Sequence, residues 1–147
     1  MRYGRGMYAS IVVGIDGSAT AEIALGKAVD LARLTGATLH VVSAYAPAPA
    51  RVTGGQPSGE FSVGADFKAD AILQRALDRG RGADIEVREH APKGSAADAL
   101  LAVADQQGAD AIVIGNVGMR GARRVLGSVP NKVSHQASCD VLIVQTR

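Results

Sequence analysis

The sequence has few of the residues that usually announce a chemistry. It contains one cysteine, Cys139, so no disulfide can form within the chain and nothing in it calls for an oxidising compartment. It has no tryptophan, three tyrosines and two phenylalanines, too few rings to build a platform on which bases stack. Charge of either sign is scarce in excess: 16 Lys and Arg stand against 14 Asp and Glu. A formal charge of +2 falls short of the basic footprint that a nucleic-acid partner requires. No apolar run reaches the eighteen or so residues of a membrane span, and the opening MRYGRGMYAS has a positive start with no apolar stretch behind it. These absences set aside nucleic acid and membrane as partners, and they lead to the expectation of a cytoplasmic protein.

What is present is an ordinary globular balance, 47% hydrophobic and 20% charged over 147 residues, enough for one domain with a real core. Short apolar runs predict strands at 9–16, 37–45, 111–115 and 140–145, and DIEVREH at 84–90 alternates as a half-exposed strand does. Between them the apolar spacing turns helical. Ser18 precedes a helix carrying Ala21, Leu25, Ala28 and Ala32, which Gly36 closes. A second helix is expected from Asp66 to Arg81. A third begins at Ser95, carries Ala97, Leu101 and Ala104, and stops at Gly108, and a short last helix begins at Gly127-Ser128. Residues 46–64 hold three of the five prolines and four glycines, so a mobile surface loop is expected over 46–65. Residues 1–8 read as a disordered lead-in and 9–147 as the single domain. Alternating strands and helices predict an open α/β sheet of parallel strands, covered by helices on both faces. In such sheets ligands bind beyond the carboxyl ends of the strands, where strand order reverses.

Two strand exits are marked by glycine, GIDGS at 14–18 and VIGNVG at 113–118. If the strands that lead to them are neighbours, the two loops share one crevice. The second loop continues as MRGARRVLGS, with Arg120, Arg123 and Arg124 before the helix start at Gly127-Ser128. Phosphate needs converging backbone N–H groups at a helix N-terminus; Gly127, Ser128 and Val129 provide one, and Gly115 and Gly118 let the chain turn off the strand. The P-loop and dinucleotide spacings are both absent. Asp16, at the other exit, could bind ribose or magnesium or cap the helix that follows. His135 and Cys139 are four apart, on one helical face if the helix persists, but a metal would need a further ligand. His40 and His90 fall within strand patterns, where packing or solvent exposure is expected rather than catalysis. No nucleophile motif is present, so no catalytic residue is assigned and no enzyme is expected.

On these residues the sequence resembles the universal stress proteins of the UspA type. Their ATP-binding members carry Gly-x2-Gly-x9-Gly-Ser/Thr after the fourth strand, matched here by Gly115, Gly118, Gly127 and Ser128. The stretch from Gly118 to Gly127 holds eight residues where that pattern has nine. IVVGIDGS, LHVVSAY and LGSVPNKVSHQASCDVLIV extend the likeness over nearly the whole chain. The resemblance implies a five-stranded parallel sheet in the order 3-2-1-4-5, the three-layer sandwich of adenine-nucleotide alpha-hydrolases. It implies that Asp16 and the backbone near Ala44 meet adenosine while Gly115, Gly118, Gly127, Ser128 and Val129 hold ribose and phosphates; Arg120, by its charge, is the candidate to neutralise a polyphosphate there. The implied ligand is ATP or another adenine nucleotide, AMP or cyclic AMP among them, with Mg where a polyphosphate is held. The implied assembly is a homodimer through the last strand, 140–145, in a stress or regulatory role that leaves room for an unknown protein partner. The alternative is a related dimer that binds no nucleotide and acts through protein contacts.

Overall fold

Five strands carry the fold, four of them on apolar runs and one, VREH at 87–90, on an alternating half-exposed segment. The computed structural model describes residues 7–16, 18–43, 71, 74, 75, 77–116 and 127–146. In chain order the elements are β1 (Ser10–Gly14), α1 (Ala19–Thr35), β2 (Thr38–Val42), α2 (helical over residues 77–82), β3 (Val87–His90), α3 (Ala96–Gln107), β4 (Ala111–Gly115), α4 (Ser128–Gln136) and β5 (Asp140–Val144). The strands are all parallel and lie in the order β3-β2-β1-β4-β5, the order expected.

Local chemistry sets the helix ends. Ser18 lies in an extended conformation, and its hydroxyl accepts the N–H of Ala21 at 3.1 Å. Gly36 ends α1 at φ 76°, a left-handed conformation that glycine adopts without a Cβ clash, and its N–H reaches the Ala32 carbonyl at 2.8 Å. Ser95 and Gly108 do the same for α3. Strand ends are shorter than the apolar runs suggested. Asp84, expected in a strand, sits at φ 62° in the turn that leaves α2, and its N–H bonds to Arg81. The pairing with β2 therefore begins only near Val87. At the other edge β5 stops at Val144 rather than Gln145.

Period-two alternation divides the sheet side chains between two cores. Ile11, Val13, Leu39, Val41 and Val113 meet Ala24, Leu25, Ala28 and Ala32 of α1 on one face. Val12, Val42, Ile112 and Ile114 meet Leu100, Val103 and Ala104 of α3 and Val133 of α4 on the other. β1 and β4 are buried on both sides, as continuous apolar runs in a parallel sheet should be. Each fully buried Leu, Ile or Val contributes roughly 1.5–3 kcal/mol, so the centre of the sheet is the rigid floor on which the strand exits stand.

Tyr8, which the sequence placed in the lead-in, packs against the first core, and its hydroxyl donates to Asp140 at 2.9 Å. Residues 1–6, the 46–65 loop and half of the predicted helix from Asp66 lie outside the described residues. Among the described residues no helix is long and apolar enough to cross a membrane.

Candidate functional site

β1 and β4 run side by side, with Val13 opposite Val113. The chain leaves β1 into α1 on one face, while α3 enters β4 from the other. Strand order reverses between these two strands, so their carboxyl ends open a crevice between the exits. A cavity of about 90 Å³ lies there, bounded by Gly14, Ile15 and Asp16 from the first exit and by Ile114 and Gly115 from the second. Ala21 of α1, Val42 of β2, Ala96 and Leu100 of α3 and Val129 of α4 complete the wall. A larger groove of about 610 Å³ runs between α1 and α2 past Glu22, Lys27, Asp30, Arg33 and Arg79. It is open to solvent, carries charges of both signs and lies away from the strand exits. The smaller cavity stands at the strand exits and has a mainly apolar lining.

Of the residues singled out from the sequence, Asp16, Gly115 and Val129 line this cavity. Gly127 and Ser128 stand at the start of α4 directly before Val129. Ala44, Gly118, Arg120, Arg123 and Arg124 lie outside the described residues. Asp16 is exposed, and its Oδ1 accepts the N–H of Ser18 at 2.9 Å. It shapes the turn into α1, while the helix cap itself is Ser18. Asp16 thus has one oxygen engaged in the turn as it lines the cavity.

The glycines act differently from what their number suggested. Gly115 does not turn the chain: it is the last residue of β4, paired with Val144. A Cβ on it would meet the Thr20 carbonyl oxygen at 3.3 Å and the Thr146 methyl at 3.4 Å, so its use is close approach of α1 to the sheet. Gly127 has φ −64°, a conformation open to any residue. As N-cap it makes no side-chain bond, and Pro130 removes one N–H from the first turn. The amides of Ser128 and Val129 belong to the first turn, whose N–H groups have no partner within a helix. They are also where the macrodipole favours an anion.

The wall residues other than Asp16, Gly115 and Val129 were not assigned to the site from the sequence. Val42, Ala96, Leu100 and Ile114 carry the same apolar signal as any core position, and only the fold separates a wall from a core. In α3 the helical spacing was read through Leu101, but Leu100 is the fully buried leucine and Leu101 is half-buried. The first turn of α3 is tied to α4 by Asp98 and Lys132 at 2.8 Å. The hydrogen bond from Lys132 holds the Asp98 carboxyl below its usual range, with the Ser95 bond adding to the effect.

α4 ends at Gln136, with Ala137 extended as its C-cap, so His135 and Cys139 do not share a helical face. Among the described residues no cluster of three ligating side chains exists. Burial, with Asp140 next in effect, pushes the Cys139 thiol up, away from the reactive thiolate. His40 and His90 meet each other across β2 and β3, Nδ1 to Nε2, at 3.0 Å.

The sequence profile of the universal stress protein family matches residues 7–145. A universal stress protein of Mycobacterium tuberculosis is 38% identical over 143 residues, 95% of this chain and 97% of its own length. A universal stress protein crystallised in complex with cAMP is similar at 37% identity and TM-score 0.73, over 95% of this chain and 98% of that one. The universal stress protein from Archaeoglobus fulgidus in complex with dAMP is similar at 28% identity and TM-score 0.69, over 93% of this chain and 98% of that one. With the strand order, the crevice and these matches in agreement, the chain belongs to the universal stress protein family.

Proposed function

We propose that this protein is a regulatory domain that holds an adenine nucleotide between the exits of β1 and β4 and turns it over slowly if at all. The observation that carries the reading is the conjunction of an apolar wall and an anion-favouring helix start around one cavity. Val42, Leu100 and Ile114 suit a purine ring; the first turn of α4 at Ser128 and Val129 suits a phosphate. Relatives crystallised with cAMP and with dAMP support the adenine class. The segment from Gly118 to Gly127, one residue shorter than the ATP-binding pattern, favours a monophosphate or cyclic monophosphate over ATP with Mg. Asp16 is the one carboxylate lining the cavity among the described residues, and its position suits a ribose hydroxyl better than general-base work. The protein is read as cytoplasmic, and as a homodimer through β5, where Leu142 is 45% exposed on an edge strand.

The test is thermal unfolding of the purified chain with AMP, cyclic AMP and ATP, with Mg, alongside release of any nucleotide retained from cells by denaturation. At a ligand concentration a hundredfold above its dissociation constant, linkage adds about 2.7 kcal/mol of stability, a shift of several degrees for a domain of this size. No shift with any of the three at millimolar concentration, and no retained nucleotide, overturns the reading in favour of a dimer that acts through protein contacts.

A further inference from the structure

His40 and His90 lie fifty residues apart in sequence and meet at one edge of the sheet. The ring nitrogens, Nδ1 of His40 and Nε2 of His90, are 3.0 Å apart, and the ring centroids are 5.2 Å apart at a tilt of 38°. His40 is 3% exposed. By strand alternation it lies on the face that α3 covers, with Val12 of β1 and Arg88 of β3 as its register partners. His90 closes β3 opposite Val42. A hydrogen bond between two imidazoles requires that one nitrogen donate and the other accept, so the contact needs at least one neutral ring. Two protonated rings would place two donors and two like charges within 3.0 Å.

The strand that this contact holds is the weakest in the sheet. β3 has four residues, pairs among the described residues with β2 alone, and is exposed at Arg88 and Glu89. Its ladder includes Leu39 N–H to Glu86 and Ser43 N–H to His90, each at 2.9 Å. Edge strands of this length have little cooperative support, and local opening draws on such regions. We propose that the His40–His90 pair is a proton-operated fastening for edge strand β3, closed when the rings are neutral and opened in mildly acidic solution.

The electrostatic surroundings favour this use. The charged groups that reach the pair, among the described residues, are Arg88, Glu86 and Glu89. Glu86 already bonds Arg88 at 2.7 Å, so its pull on a protonated His40 is largely spent. The facing residues of the neighbouring elements, Val12 of β1 and Leu100, Val103 and Ala104 of α3, carry no charge. Burial first, then His90 and Arg88, hold the His40 ring below the ordinary imidazole range; burial and then Arg88 do the same for His90. With folded values depressed, the unfolded strand binds more protons as pH falls below about 6.5, so closure is complete above that pH and is lost progressively beneath it. Two imidazoles alone do not make a metal site, and no third ligand joins them among the described residues.

The chain has three histidines, and the third, His135, is exposed on α4, so it serves as the control. Hydrogen–deuterium exchange is measured on the whole chain at pH 7.5 and 5.5 and corrected for the intrinsic chemical rate. The expected result is a loss of protection of tenfold or more at the Leu39 and Ser43 amides and across residues 87–90 at the lower pH, with β1 and β4 amides unchanged. His135→Gln should behave as the wild type. His90→Gln keeps a hydrogen-bonding group at the half-exposed position without the second charge, and it should reduce the pH response to the smaller part that burial of His40 alone gives; His40→Gln should reduce it further if it folds. An unchanged β3 at pH 5.5, an equal loss in β1 and β4, or a full response retained by His90→Gln overturns the proposal.

Discussion

Asn116 holds Thr146 twice: its Oδ1 accepts the backbone N–H at 3.1 Å and the hydroxyl at 2.6 Å. Its Nδ2 donates to Gln145 at 3.0 Å. The residue that follows β4 is thereby clipped to the two residues that follow β5, and the Thr146 methyl is brought against Gly115 in the cavity wall. Asn116 is 4% exposed and Thr146 half-buried, so truncating the amide leaves the Thr146 N–H and hydroxyl where water reaches them only in part. Asn116→Ala is expected to cost about 2–3 kcal/mol, the penalty of stranded buried polar groups rather than of one lost bond. Thr146→Val, which removes only the hydroxyl, should cost about 1 kcal/mol. Urea denaturation of both variants checks the ratio; equal losses would mean that the amide does no more than the hydroxyl.

Asp16 separates a structural role from a binding one. Its Oδ1 accepts the Ser18 N–H, and an amide oxygen can accept the same bond, so Asp16→Asn is expected to stay within about 0.5 kcal/mol of the wild type in stability. A carboxylate that receives a ribose hydroxyl makes a charge-assisted bond, which the amide weakens. AMP affinity should then fall about tenfold, equivalent to about 1.4 kcal/mol. Calorimetric titration beside a melting curve measures both, and unaltered affinity would limit Asp16 to shaping the turn.

How far the sequence carried this site follows from the range of the interactions. Ser18, Gly36, Ser95 and Gly108 were legible because caps are local: each bonds a residue three or four positions away. The order of the strands followed from the family likeness, and with it the crevice between the exits, which the strand and helix pattern alone left conditional on the two strands being neighbours. Asn116 with Thr146 was not legible, because thirty residues separate them and an asparagine after a strand reads as any turn residue. The His40–His90 contact was hidden for the same reason. Leu100 was displaced by one position because α3 is apolar over more than one face, with Ala97, Ala99, Leu100, Val103 and Ala104 all buried, and spacing alone does not choose among them. Gly115 was read as a turn glycine, when its contacts show a packing constraint.

β5 offers the test of assembly. It is an edge strand, paired with β4, and uncovered edges of this kind invite pairing with another chain. Val141 and Ile143 pack against the second core, so changing them would confound folding with association. Leu142 is 45% exposed and is the cleaner site. Leu142→Lys is expected to leave the melting temperature of the monomer unit little changed and to weaken self-association tenfold or more. Sedimentation at micromolar concentration decides: a wild type that is monomeric, or a variant as dimeric as the wild type, removes β5 as the interface.

Gly14 and Gly115 line the same cavity and should respond in opposite ways to the same added methyl. At Gly14 a Cβ would meet Leu100 Cδ2 at 3.2 Å, the end of a side chain that can rotate, and the direction open to it is the cavity that Leu100 already lines. At Gly115 the Cβ would meet a backbone oxygen, Thr20 O at 3.3 Å, and that oxygen belongs to the first turn of α1, which cannot shift without moving the helix. Gly14→Ala is therefore expected to cost under about 1 kcal/mol of stability while lowering adenine-nucleotide affinity tenfold or more, because the displaced leucine takes the ligand's space. Gly115→Ala is expected to cost about 1–3 kcal/mol, the usual range for forced overpacking. Denaturation and AMP titration of the two variants resolve the contrast. If Gly14→Ala binds AMP as tightly as the wild type, Leu100 does not border the purine, and the apolar wall assigned to the ring belongs to the core instead.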